Sequence, residues 1–136
     1  NTFSKEEDIN FALKQIAETG QQLYWCLCPN ANLYIENKLP PVELFQHSNC
    51  NIVLGTDSYS SNNSLNILDE IKTLQRNSPL IKLKEMLTWA TLNGAKALAL
   101  NDKFGSFEKH KMPGVLLISD IAGKNITNHS RIRRLL

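Results

Sequence analysis

The sequence predicts an α/β fold in which short parallel strands alternate with helices. Two unbroken apolar runs carry that reading: residues 23–28 (Leu-Tyr-Trp-Cys-Leu-Cys) and residues 52–54 (Ile-Val-Leu). Such runs suit strands buried on both faces, as in a parallel sheet. Amphipathic helical patterns precede and separate them. The order helix, strand, helix, strand implies βαβ crossovers rather than hairpins.

Taken in order, Ser4-Lys5-Glu6-Glu7 reads as a capping box, in which the Ser4 hydroxyl takes a free amide and Glu7 reaches back. Ile9, Ala12, Leu13 and Ile16 then mark one helical face, and Gly20 closes the helix. The first apolar run follows and ends at Pro29, which cannot donate to a sheet ladder. Asn30-Ala31-Asn32 is expected to be a polar loop, and Pro40-Pro41 to start a short helix carrying Val42, Leu44 and Phe45. After the second run, Ser64 is expected to cap a helix with Leu65, Leu68, Ile71 and Leu74 on one face. Ser78-Pro79 restarts another, with Leu83, Met86, Leu87 and Ala90 as its apolar face, broken at Asn93-Gly94. Residues 95–100 form a small helical turn. Beyond it the alternation stops, and residues 104–107 and 115–118 read as short strands separated by the Pro113-Gly114 turn.

At 136 residues the chain is one domain or a piece of a larger one, and 42% hydrophobic content is enough for a core. A net charge of +2 gives no reason to invoke nucleic acid. No apolar run approaches the roughly 18–20 residues that cross a membrane, and no signal peptide opens the chain. It starts at Asn1 rather than Met, which suggests processing or excision. Cys26, Cys28 and Cys50 lie in or beside apolar runs, the pattern of reduced thiols in a cytoplasmic protein. Cys26 and Cys28 are spaced C-x-C with no second pair at zinc-site spacing, which argues against structural zinc. His47, His110 and His129 lie far apart and none ends an apolar strand, so each reads as a structural or surface residue. The short basic run Arg131-Ile132-Arg133-Arg134 reads as the solvated end of a helix.

Residues 51–62 organise the rest. Ile52, Val53 and Leu54 lead into Gly55, which permits a close turn, and then into Asp57 within a polar tail of Thr, Ser, Tyr and Asn. A carboxylate at the C-terminal end of a buried strand is where α/β folds place their chemistry. The bland alternative, an Asx-turn or a helix cap, fits the pattern equally well.

Four motifs in order resemble the C-terminal part of the amidohydrolase superfamily, in its chlorohydrolase, guanine deaminase and cytosine deaminase branch. Cys28-Pro29-Asn30-Ala31-Asn32 resembles the Cys-Pro-x-Ser-Asn loop after the seventh barrel strand, with Ala31 where Ser is usual. Leu54-Gly55-Thr56-Asp57-Ser58 resembles the Gly-Thr-Asp-Ser at the end of the eighth. Residues 87–98 resemble a later helix with an Ala-Thr-x-x-Gly-Ala core, and residues 104–109 the turn of the small β-domain. His110 replaces a Gly before Lys111, and Met112-Pro113-Gly114 stands where Ala-Asp usually leads into the last strand. The family's His-x-His pair has no counterpart in these residues.

A TIM barrel takes about 250 residues. The resemblance therefore implies a partial TIM barrel: the last two βα units over residues 1–100, then a remnant of the C-terminal β-domain and the tail over residues 101–136. It implies one divalent metal ion, zinc or iron, in the full-length enzyme. Asp57 would be both metal ligand and catalytic general base. Asn32 and Ser58 would line the substrate pocket, where loop-capping hydrogen bonds are the competing role. A small ring substrate would lose ammonia or chloride. One carboxylate is not a metal site, so these 136 residues alone are expected to be inactive and to bind divalent metal weakly or not at all. The open face of a partial barrel favours a homo-oligomer. The rival reading is a free-standing α/β interaction or regulatory module without catalysis.

Overall fold

The computed structural model describes residues 1–136 as six helices and four short strands. Helix α1 (Glu6–Thr19) is capped one residue later than expected. Its N-cap is Lys5, whose N–H donates to the Asp8 carboxylate at 2.8 Å, because the acidic residue at the third helical position is Asp8 and not Glu7. Gly20 adopts φ 68° and its N–H reaches the Ile16 carbonyl, ending the helix as its sequence position implied.

Strand β1 (Tyr24–Leu27) pairs in parallel with β2 (Asn51–Leu54), from Tyr24 opposite Asn51 to Leu27 opposite Leu54. The Gly55 N–H carries the ladder one step further, to the Leu27 carbonyl at 2.9 Å. Helices α2 (Pro29–Glu36) and α3 (Val42–His47) make the crossover. On one sheet face Leu27 and Ile52 are fully buried against Ile9, Val42 and Phe45, and Trp25 packs on Phe45 with ring centroids 4.7 Å apart. Strand β2 is buried on both faces, as its apolar run implied, but β1 is not: Cys26 is exposed. A pleat sends alternate side chains to opposite faces, and only one face of β1 meets helices.

The segment expected to be a polar loop, residues 30–32, is instead the first turn of α2. Pro29 sits at its first position, where a fixed φ and a missing N–H cost nothing. Helix α4 (Ile67–Asn77) is capped by Asn66, whose side chain accepts the Leu68 N–H at 3.0 Å; Ser64 acts earlier, accepting the Asn66 N–H at 3.2 Å. Leu68, Ile71 and Leu74 join the core, while Leu65 stays exposed. Helix α5 (Leu83–Ala90) begins after a turn at residues 79–81, with the Glu85 carboxylate accepting the Lys82 N–H. Asn93-Gly94 does not break the helical stretch; the break falls at Thr91, and α6 (Leu92–Ala97) runs through both residues. Its Asn93 side chain donates to the Ile52 carbonyl at 2.8 Å, fixing α6 to β2.

The C-terminal part departs most from expectation. Residues 104–107 are not a strand. The Phe104 N–H returns to Leu100, and Gly105 at φ 88° packs so closely on Ala95 that an added Cβ would sit 2.7 Å from the Ala95 Cβ. Strand β3 (Leu116–Ser119) pairs antiparallel with β4 (Arg131–Arg134), so the basic run is a strand and not a helix end. Ile126, between them, is buried in the core, and its N–H and carbonyl are both bonded to the Gln75 side chain, at 2.9 and 2.7 Å. No helix is long and apolar enough to cross a membrane.

Candidate active site

Parallel strands end side by side, so the segments after β1 and β2 open on the same rim. Asp57 stands three residues beyond β2, exposed, in the left-handed region at φ 58° that Asp tolerates better than most residues. Its Oδ2 accepts the Ser61 hydroxyl at 2.8 Å. Ser58 is also exposed, and its Oγ lies 2.6 Å from that of Ser60. Asn32 is half-buried. Its Nδ2 donates to the Thr2 hydroxyl at 2.8 Å, while its buried Oδ1 has no partner. An orphaned buried acceptor is uncommon and costly.

The centre of this rim is a residue that the sequence pattern did not single out. Glu70 on α4 is fully buried. Its Oε2 accepts the Asn30 backbone N–H at 2.8 Å, and its Oε1 accepts the Asn30 and Asn62 side-chain amides at 3.1 and 2.6 Å. Asn62 also donates to the Thr56 carbonyl at 2.7 Å, and the Thr73 hydroxyl donates to Asn30 Oδ1 at 2.6 Å. One carboxylate thus ties the start of α2 to the Asp57 loop. Burial raises the Glu70 carboxyl above its ordinary value, and the Asn30 and Asn62 donors offset part of that rise. A Glu on a helix ordinarily reads as a solvated face. The sequence offers no pattern that links Glu70 to Asn30 and Asn62, which lie 40 and 8 residues away.

Below the rim, Cys26 and Cys28 project from the same side of the chain with their sulfurs 4.0 Å apart. Gly55 on β2's extension lies against both: an added Cβ would fall 2.8 Å from Cys26 Sγ and 3.3 Å from Cys28 Sγ. The hydrogen bond from Cys28 pulls the Cys26 thiol down to about 7, and the same bond together with burial pushes Cys28 up. Burial also raises Cys50, which lies apart from this pair. His47, His110 and His129 are all exposed.

No group of three or more His, Cys, Asp or Glu side chains that could hold a metal ion forms in the chain. The exposed Asp57 carboxylate, steadied on one oxygen by Ser61, suits a single ligand of a divalent cation. The remaining ligands would have to come from elsewhere.

The chain is similar to known deaminases. The 5'-deoxyadenosine deaminase of Methanococcus vannielii is 38% identical over 98 residues, which are 67% of this chain and 23% of that protein. The solved structure of an adenosine deaminase from Xanthomonas campestris with bound zinc superposes with a TM-score of 0.72 at 28% identity, covering 86% of this chain and 27% of that one. Helicobacter pylori aminofutalosine deaminase, solved in complex with methylthio-coformycin, gives 0.70 at 30% identity over 84% and 27%. The chain therefore spans about a quarter of the length of the proteins it matches. The pattern of the amidohydrolase family matches residues 2–128, nearly the whole sequence, and with the parallel strands and their carboxylate-bearing rim this makes the chain a member of that family.

Proposed function

We propose that this chain forms the closing part of a metal-dependent deaminase acting on an adenosine-like substrate. Residues 1–100 would supply the last two βα units of a (β/α) barrel, and residues 101–136 the remnant of a β-domain. The observation that carries the reading is Asp57, exposed at the C-terminal end of a parallel strand with Ser61 orienting its carboxylate. The deaminases among the relatives favour loss of ammonia over loss of chloride, and the zinc named for one neighbour favours zinc over iron.

Asp57 is the residue of this chain that would hold the divalent ion. Such an ion, when bound, supplies a Lewis acid that brings the pKa of water towards neutrality. Asp57 would accept the proton of the attacking water as general base and keep it beside the departing amino group. Ser61 would hold the carboxylate in one orientation during that transfer. Ser58, exposed beside Asp57, and Asn32, with its unpaired Oδ1, would border the substrate, the latter accepting from a donor on its ring or ribose. Glu70 would keep the two rim segments in register.

The test is ammonia release from adenosine and its 5'-deoxy and 5'-methylthio analogues by the full-length protein that carries this chain. Asp57→Asn should lower turnover by at least ~10²-fold, the lower end of what a general base contributes. Turnover unchanged in Asp57→Asn would refute the assignment.

A further inference from the structure

The thiol pair below the rim has no part in the proposed deamination, and its geometry points to a site of its own. Cys26 and Cys28 lie at positions i and i+2 of an extended segment, so both sulfurs leave it on the same side. A tetrahedral ion with metal–sulfur bonds of about 2.3 Å holds two thiolates about 3.8 Å apart. The sulfurs already stand 4.0 Å apart. Little rearrangement would be needed to close them on one ion.

Two further features suit a dithiolate. Gly55 leaves the space that the sulfurs fill, since any side chain at that position would press on both. Cys26 is exposed, so solvent can deliver an ion and fill its remaining coordination positions. Thiolates select soft cations over the hard ones that oxygen ligands prefer.

We propose that Cys26 and Cys28 form a dithiolate site for one soft, thiophilic divalent cation, separate from the Asp57 carboxylate. Binding replaces two S–H bonds by two metal–sulfur bonds and releases two protons to solvent, with no change of oxidation state. The site adds an affinity that the C-x-C spacing alone did not suggest.

The probe is Cd²⁺ titrated into the reduced 136-residue chain, followed by sulfur-to-metal charge-transfer absorption against a competing chelator. The expected result is one Cd²⁺ per chain with the charge-transfer band, and a ¹¹³Cd resonance in the range of sulfur ligation. Cys26→Ser and Cys28→Ser should each weaken binding at least about tenfold, as loss of one of two protein ligands requires. Cys50→Ser should leave the affinity within about twofold, and Asp57→Asn should leave one Cd²⁺ bound per chain with its charge-transfer band intact. Circular dichroism of each variant identifies any that fails to fold, and the ¹¹³Cd shift of the unmodified chain decides the matter without a variant. An oxygen-range shift, a Cys26→Ser/Cys28→Ser double variant that still takes up Cd²⁺, or an Asp57→Asn variant that loses it would overturn the proposal. The last outcome would put the ion on the carboxylate and leave the deaminase reading standing. A failed deaminase assay with intact thiol binding would do the reverse.

Discussion

Glu70 gathers three N–H donors from two segments onto a carboxylate with no exposed surface. A Gln there cannot accept on both oxygen positions, because its amide would set N–H groups against an Asn donor. Glu70→Gln should therefore cost about 1–3 kcal/mol at pH 7, the penalty for leaving buried donors unpaired, read as a lowered urea midpoint. The pH dependence follows from burial, which raises the folded-state pKa above the ordinary 4.5. The neighbouring groups are the Asn30 and Asn62 amides, the Asp69 carboxylate, the Cys28 thiol and, through the Thr73 hydroxyl, Arg76. A raised carboxyl is more protonated when folded, so its contribution grows as the pH falls from neutral towards 4.5 and is lost as the pH rises through the folded value. Wild type should show this gain on mild acidification, and Glu70→Gln should lack it. The place of Asp57 just past β2 was legible because it follows a buried apolar run directly. Glu70 was not, because its partners lie 40 and 8 residues away and a helical Glu is normally solvated.

The paired strands depend on what lies between them as much as on their ladder. Gly55 continues β2 past Leu54 and leaves its missing side chain's space to two sulfurs. Gly55→Ala should cost roughly 1–3 kcal/mol through overpacking, measured by denaturant unfolding. Adding Cys26→Ala should restore part of the loss, because it removes the atom at 2.8 Å, so the two changes should couple in a double-mutant cycle. Additive costs would show that the contact does not limit the fold. The places of β1 and β2, their parallel pairing and the apolar faces of α1, α4 and α5 were legible because apolar runs and 3.6-residue periodicity mark them directly. Boundaries were less so. Proline at residue 29 ends β1 and, by the same fixed φ, starts α2 at once, so the expected polar loop has no room. Residues 104–107 carry two phenylalanines, a residue type common in strands, yet Gly105's approach to Ala95 and the return of Phe104 to Leu100 decide their turn.

For the whole molecule, the C-terminal segment is held to the helices by few contacts. The Gln75 side chain occupies both backbone groups of buried Ile126, closing a link between residues 51 positions apart. Gln75→Ala should leave a buried N–H and C=O unpaired and cost about 1–3 kcal/mol, with faster hydrogen exchange at the Ile126 amide and in β3 and β4. Unchanged exchange would mean that the segment is anchored elsewhere. A long-range bond from a Gln to a backbone unit leaves no pattern in sequence, which is why the docking of this segment was not foreseen. The family match over residues 2–128 places the chain among amidohydrolases, and the proposed function rests on the Asp57 carboxylate meeting a cation. Anomalous diffraction at the zinc edge, from crystals of the full-length protein, tests this most directly. The account predicts a zinc peak about 2.0–2.2 Å from an Asp57 oxygen. A metal fully ligated by other residues, with the Asp57 carboxylate turned away from it, would contradict it.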